Sequence, residues 1–418
     1  MKDSCFCIVF GLDDNYAKYA SVSMTSIIYS IAPSHCAKLL GGGQIDSMEN
    51  SLPLIHRFTH LVSITPFLHA SLESNVKKEA SKPLSPQTKP TSQSQTPEIL
   101  PIHFHLLADS LSKATLSHLR TLESSLNAIY PTKIHIHALK QAEFEALNPW
   151  GEAGANWCAY FRLKLGDVLP KQIKRALYLD VDTLILQDVR ELFYYDLGQC
   201  AIGAVRSGLS GDSIKIVRER KIKPQDYFNS GVLLIDLPKW RTKNLSLIHT
   251  AEYAEYAEYA EYADQDFLNL IFKDSVCFLP YRFNLQWLAE SRIHFDSAPP
   301  RKDSNGITSY PSAIDFREFA SALISPAIVH LLGGYKPWEK QNFQADPSKP
   351  PIFAQNPYHK LWWALARQSP FAMQLTLAYY KRAAITTARA YLLAYAPYAY
   401  TLMRPFVRAL KSLKHTLH

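Results

Sequence analysis

Apolar and polar positions alternate in blocks along much of this chain. Cys5–Leu12 is a short, nearly continuous apolar run that predicts a buried strand, followed by a polar turn and a helix beginning near Tyr19. Ile102-His-Phe-His-Leu-Leu-Ala alternates like a second strand, and Leu111–Leu126 follows with helical spacing. Lys133-Ile-His-Ile-His-Ala-Leu predicts a third strand, Arg175-Ala-Leu-Tyr-Leu-Asp a fourth and Gly231-Val-Leu-Leu-Ile-Asp a fifth. Strands alternating with helices predict an α/β fold, with a mainly parallel sheet covered by helices on both faces. Ligands on such sheets sit beyond the carboxyl ends of the strands, so motifs that end strands come first.

Two stretches break the pattern. An insertion over about residues 37–100 contains Gly41-Gly-Gly and a Ser/Pro/Gln-rich run from Ser81 to Pro97 with little to bury, which predicts disorder in its second half. Ala251–Tyr262 is four copies of Ala-Glu-Tyr. A period of three drifts slowly round a helix, so its tyrosines predict a skewed stripe on a surface helix.

Composition sharpens the reading at the C-terminus. The net charge is +8 over 418 residues, yet nine Lys and Arg fall within residues 356–418, and no Asp or Glu follows Asp346. The remainder of the chain is therefore close to neutral, which removes the case for nucleic acid as a partner. The same segment carries Trp362, Trp363 and a run of tyrosines from Tyr379 to Tyr400. Aromatic side chains suit a lipid headgroup boundary and basic ones suit anionic lipid, so a peripheral membrane contact is expected; an ordinary helical subdomain with a basic face is the alternative. No uncharged apolar run approaches the roughly 20 residues that span a bilayer. The six cysteines form no CxxC pair, and reduced thiols are expected. Together these features predict a cytoplasmic protein.

Four motifs carry candidate chemistry. Tyr178-Leu-Asp-Val-Asp-Thr183 places Asp180 and Asp182 at a strand end between two apolar runs, where two carboxylates can grip one divalent cation beside a diphosphate. A plain surface turn is the competing reading. Asp13, Asp14, Asn15 and Tyr16 end the first strand and suit either a nucleoside or a helix N-cap. Asp264, Gln265 and Asp266 open a helical pattern, as a capping cluster or as groups facing a sugar. His330-Leu-Leu-Gly-Gly-Tyr-Lys-Pro-Trp338 follows an apolar run: a strand-end imidazole can complete a metal site, Gly333 admits backbone near a phosphate, and Lys336 can neutralise it. A structural histidine is the alternative.

These motifs, with Arg162-Leu-Lys-Leu and Tyr227-Phe-Asn-Ser-Gly-Val-Leu-Leu-Ile-Asp, occur in an order that resembles the family 8 retaining glycosyltransferases, a group that includes bacterial lipopolysaccharide and lipooligosaccharide hexosyltransferases and glycogenin. The resemblance covers Cys5–Ile31 and Ile102–Lys340. It implies a GT-A fold with a Rossmann-like nucleotide half over residues 1–345 and a C-terminal helical, basic and aromatic segment over 346–418. By resemblance, Asp180, Asp182 and His330 would hold Mn2+ (or Mg2+), and Asp13, Asp14, Asn15 and Tyr16 would bind the uridine of UDP-galactose or UDP-glucose. Arg162, Val181, Asn229, Gly333 and Lys336 would contact the donor. Asp264, Gln265 and Asp266 would serve at the transferred sugar, with a lipid-linked glycan as acceptor.

An amide is a poor nucleophile, so same-face attack by the acceptor is expected over a covalent intermediate on Gln265, with Asp266 as the other covalent candidate. Two further readings compete. A metal-dependent nucleotidyltransferase would share the sheet and carboxylates, and a non-enzymatic peripheral membrane protein would rest on the basic tail alone.

Overall fold

The computed structural model describes residues 4–32, 99–144, 157–208, 215–219, 221–243, 245, 262–287, 301–302, 308–309, 316–332, 336–339 and 358–395. The 37–100 insertion (apart from its last two residues), the Ala-Glu-Tyr repeat before Tyr262, Cys36, Gly333 and the chain beyond residue 395 lie outside these.

The N-terminal half builds a layered α/β unit. Strand β1 (Phe6–Leu12) leads into helix α1 (Ala17–Ile31), β2 (Ile102–Ala108) into α2 (Lys113–Asn127), and then follow β3 (Thr132–Ala138) and β4 (Arg175–Leu179). Ser112 caps α2, its side chain accepting from the Thr115 amide, and Leu119, Leu122 and Leu126 form the helix's buried stripe. Each such leucine contributes roughly 1.5–3 kcal/mol by leaving water.

Then come β5 (Thr183–Ile185), β6 (Ile202–Arg206), β7 (Phe228–Asp236), α3 (Ala263–Phe272), β8 (Val276–Phe278), β9 (Leu285–Trp287), α4 (Phe316–Ile324) and β10 (Ile328–Leu331). The main sheet runs β3-β2-β1-β4-β7-β6-β8. All its pairings are parallel except those of β7, which is antiparallel to both β4 and β6. The strand predicted from Gly231 thus begins three residues earlier and is the reversed one. A smaller sheet, β5-β10-β9, lies beside it.

Side chains alternate between the two faces. Ile8, Phe10, Leu177 and Leu179 pack with α1 and α2, while Cys7, Val9, Ala176 and Tyr178 pack with the 158–165 turn and α3. Among the described residues no cysteine forms a disulfide; Cys5 and Cys7 are buried and Cys158, Cys200 and Cys277 half-buried.

The C-terminal segment departs from its expected character. Helix α5 (His359–Ala366) packs on α1, and α6 (Ala372–Tyr395) follows. Tyr358 and Trp362 are buried in the main core, Trp362 beside Tyr19 and Trp338. Ser21 on α1 shares a 2.7 Å hydrogen bond with Ser369. Trp362 is therefore a core residue of the α/β unit, and the aromatic count of the segment overstated its surface character.

Candidate active site

Asp180 and Asp182 follow the end of β4, in a turn whose backbone is fixed from three sides. The Asp180 amide donates to the Gly231 carbonyl (2.8 Å), and the Leu331 amide to the Asp182 carbonyl (2.9 Å). The Ser23 hydroxyl on α1 faces the carbonyls of Val181 and Thr183, at 3.0 and 2.6 Å. Strand β10 pairs His330 with Thr183, so a residue 147 positions away in sequence reaches this turn.

Ligand atoms of Asp180, Asp182 and His330 lie within 4.8 Å of one another. His330 Nε2 is 3.2 Å from Asp182 Oδ1 and 3.7 Å from Asp180 Oδ2, yet it is buried without a hydrogen bond. Its other nitrogen, Nδ1, faces the amide oxygens of Asn229 (3.1 Å) and Asn284 (3.2 Å). Two acceptors at Nδ1 require the proton there, which leaves the Nε2 lone pair directed at the carboxylates.

The surroundings suit a divalent cation. Glycine at 231 keeps space beside the cluster: a Cβ there would overlap His330 Cε1 and sit 2.7 Å from Asp180 Oδ2. Lys336 Nζ pairs with Asp182 Oδ2 at 2.6 Å. Burial opposes ionisation of Asp182, but the Lys336 ammonium holds its carboxyl well below the usual range. Arg162 bridges Asp180 (2.8 Å) and Asp264 (3.0 Å) and lies over the Tyr178 ring. Burial works against its charge, and the two carboxylates overcome that. Three carboxylates thus face two cations, leaving negative charge for a metal to neutralise. Carboxylate oxygens with one neutral imidazole fit Mn2+ or Mg2+.

Asp264 and Gln265 do not cap the helix. The N-cap of α3 is Tyr262, with no side-chain cap bond. Asp264 instead accepts from the Ser230 hydroxyl (3.0 Å) as well as from Arg162, and burial pushes its carboxyl up to about 7 against the pull of Arg162. The Gln265 oxygen accepts from Asn229 Nδ2 (2.9 Å) and the Ser230 amide (3.1 Å), while its nitrogen donates to the Tyr227 hydroxyl (2.8 Å). Asp266 is fully buried, its two oxygens accepting from the Tyr227 hydroxyl (2.6 Å) and the Tyr262 amide (2.8 Å).

The first-strand motif divides. Asp13 accepts from the Tyr16 amide (2.7 Å) and Asn15 from Lys18 (2.5 Å), shaping the turn before α1, while Asp14 accepts from the Ser112 amide (2.7 Å) and ties that turn to the start of α2. Tyr16 is half-buried and feels Lys336 and Asp182 electrostatically, which places it toward the cluster. Asn229, expected in the donor region, is buried behind His330 and orients it. Asn284 does the same; a lone Asn after aromatic residues offered no signal. Ser23 was also missed, since its partners Val181 and Thr183 are distant in sequence. Gly333 falls outside the described residues.

Comparison with known proteins gives this geometry a context. The model of glycosyl transferase family 8 matches residues 7–342. The chain is 28% identical to General stress protein A of Bacillus subtilis over 43% of its own length and 58% of that protein's. It is 26% identical to a lipopolysaccharide 1,2-glucosyltransferase of Escherichia coli over 57% of this chain and 64% of the other. It thus spans less than two thirds of these curated relatives. Among solved structures, galactosyltransferase LgtC in complex with donor and acceptor sugar analogs superposes with a TM-score of 0.51 at 23% identity, covering 87% of this chain and 96% of that one. That likeness shows the fold, a mixed α/β GT-A arrangement with a mainly parallel sheet. Because the family match runs through the strand ends and helices that build the cluster, the chain belongs to glycosyl transferase family 8.

Proposed function

We propose that this chain transfers a hexosyl group, galactosyl or glucosyl, from a UDP-sugar to a hydroxyl of a lipid-linked, lipopolysaccharide-type glycan, with retention at the anomeric carbon. The observation that carries the reading is the meeting of Asp180, Asp182 and the unpartnered His330 Nε2 beside Lys336. Asp180, Asp182 and His330 would hold Mn2+ or Mg2+, and a bound cation would supply Lewis-acid stabilisation of the diphosphate leaving group. Lys336 keeps N–H donors beyond its Asp182 bond for a phosphate oxygen, and Tyr16 offers a ring for the base. Arg162 holds Asp180 in place and adds positive charge.

The buried polar groups support same-face attack by the acceptor. Gln265 Oε1 already accepts two hydrogen bonds, and both oxygens of Asp266 are occupied, so neither is placed as a nucleophile. Asp264 is tied to Arg162 and Ser230. These side chains would instead present a fixed polar floor to the sugar.

The test is a panel of UDP-sugars with Mn2+, following UDP release and product configuration. Release from UDP-galactose or UDP-glucose, lost with chelator and restored by Mn2+, with an α product from the α donor, is expected. No UDP release from any hexose donor at saturating Mn2+ would overturn the proposal.

We further propose peripheral attachment at the cytoplasmic membrane face, over the 346–418 segment. Among the described residues no helix is long and apolar enough to cross a membrane. On α6, Met373, Leu377, Tyr380 and Ile385 are 60–73% exposed, with Lys381 exposed among them. Exposed apolar groups beside basic ones favour an anionic lipid surface. Cosedimentation with phosphatidylglycerol-containing vesicles is expected, weakened about tenfold by the pair Leu377→Glu and Tyr380→Glu. Equal binding to neutral and anionic vesicles would count against this.

A further inference from the structure

The two strands predicted from their His-x-His alternation meet in a way the transfer reaction does not use. In the parallel register of β2 and β3, His105 lies opposite His135, and His103 and His137 stand one pair before and after on the same face. The rings form a ladder, with His105 stacked on His135 at 4.7 Å and on His137 at 5.1 Å. The opposite face of these strands carries Phe104, Leu106 and Ile134 against the main core. The ladder lies two strands across the sheet from Tyr178, roughly 10 Å by strand spacing, and the Asp180 turn lies beyond that.

Ring nitrogens of His103, His105 and His135 lie within 4.8 Å of one another. His135 Nε2 and His103 Nδ1 are 3.2 Å apart. That spacing suits a shared proton, and it equally suits two lone pairs on one tetrahedral cation, whose ligand nitrogens stand about 3.3 Å apart. His105 distinguishes the two. It is 2% exposed, its Nδ1 is 2.8 Å from His137 Nε2, and its Nε2 is buried with no hydrogen-bond partner. If Nδ1–H donates to His137, the orphaned Nε2 holds a lone pair with nothing to bind, a costly arrangement for a strand interior. A cation, reached once His135 turns out of its stack on His105, supplies the missing partner. His137 then fixes the ligand tautomer from behind, as outer hydrogen bonds do at histidine metal sites.

We propose that His103, His105 and His135 form a second metal site, selective for a borderline cation of the Zn2+ class and separate from the carboxylate-rich cluster. Three imidazoles without a carboxylate suit Zn2+, Co2+ or Ni2+ and suit Mg2+ or Mn2+ poorly. The half-buried His103 and His135 give access from the sheet edge, and the bound ion would staple edge strand β3 to β2.

The full chain carrying Asp182→Asn, which weakens the carboxylate cluster, is titrated with Co2+. About one Co2+ per chain with the intense visible absorption of a tetrahedral nitrogen site, displaced by Zn2+, is expected. With His103→Gln and His135→Gln together, the band should disappear and the Zn2+-dependent rise in Tm, roughly 3–6 °C, should vanish. With Asp182 intact, the His103→Gln, His135→Gln chain should keep Mn2+-dependent UDP release within about twofold of wild type. In the unmodified chain, Zn2+ should also shield His103, His105 and His135 from diethyl pyrocarbonate, read by mass spectrometry, whatever the variants' folding. Absence of a tetrahedral Co2+ band, its survival in the double variant, or unchanged histidine labelling with Zn2+ would each overturn the proposal.

Discussion

A methyl group at position 231 is expected to lower Mn2+-dependent turnover by about 10²–10³-fold while leaving the chain folded. Nothing about the backbone of Gly231 demands glycine; the cost is steric. The added carbon would overlap His330 Cε1 and press on Asp180 Oδ2 and His330 Nδ1, both 2.7 Å away. Strand β7 cannot retreat, since it is paired on both sides, with β4 and β6. The Asp180 turn cannot retreat easily either, because its amide is bonded to the Gly231 carbonyl itself. His330 is what must move, and moving it breaks the Nδ1 contacts with Asn229 and Asn284 that aim Nε2 at the carboxylates. The stability loss from such overpacking is about 1–3 kcal/mol. Gly231→Ala should therefore melt as one transition, bind Mn2+ weakly and release little UDP. Turnover and Mn2+ affinity like those of wild type would show that the space beside His330 is not needed.

A site that depends on so close an approach of backbone and imidazole is only partly visible in its sequence. Asp180, Asp182, His330 and Lys336 were legible because each stands at the end of an apolar run, and strand ends are where an α/β sheet gathers ligands. Their supporting residues were not. Asp264 looked like a helix cap because capping is local, whereas its actual partner, Arg162, is 102 positions away and announces nothing in sequence. Asn229 was expected to meet the donor, but its side chain turns behind His330, and alternation along a strand says only which face a residue takes. The reversed direction of β7 was equally hidden, since a strand buried on both faces reads the same parallel or antiparallel. In the C-terminal segment, aromatic and basic counts suggested one surface unit. Packing divided it: Trp362 entered the core, and Leu377 and Tyr380 stayed outside.

Arg162→Met should be the most destabilising of the site substitutions, and its deficit should grow as pH rises above about 7 rather than near pH 4, where an ordinary carboxylate salt bridge titrates. Arg162 is 4% exposed and is the buried cation between Asp180 and Asp264; it also donates to the carbonyls of Ser230 and Ala159. Removing one partner of a buried ionic group costs about 3–5 kcal/mol, because the charge left behind is neither solvated nor paired. That corresponds to a fall in Tm of roughly 3–6 °C for a chain of this length. Asp264 can relieve part of this by taking a proton. Burial already holds its carboxyl at about 7, above the value near 3.9 expected of an unfolded chain, and losing Arg162 removes the largest influence pulling it down. Both proteins hold this proton in the folded state from about pH 4 to pH 7, but the variant keeps it to higher pH, so its extra loss of stability comes above about pH 7. Asp182 titrates well below it and leaves the slope unaffected. Thermal unfolding at pH 5.5 and pH 8 should show the variant closer to wild type at the lower pH. A deficit that is constant across this range, or that grows on acidification, would mean that Asp264 does not carry the uncompensated charge and that the bridge through Arg162 is not what holds the two carboxylates together.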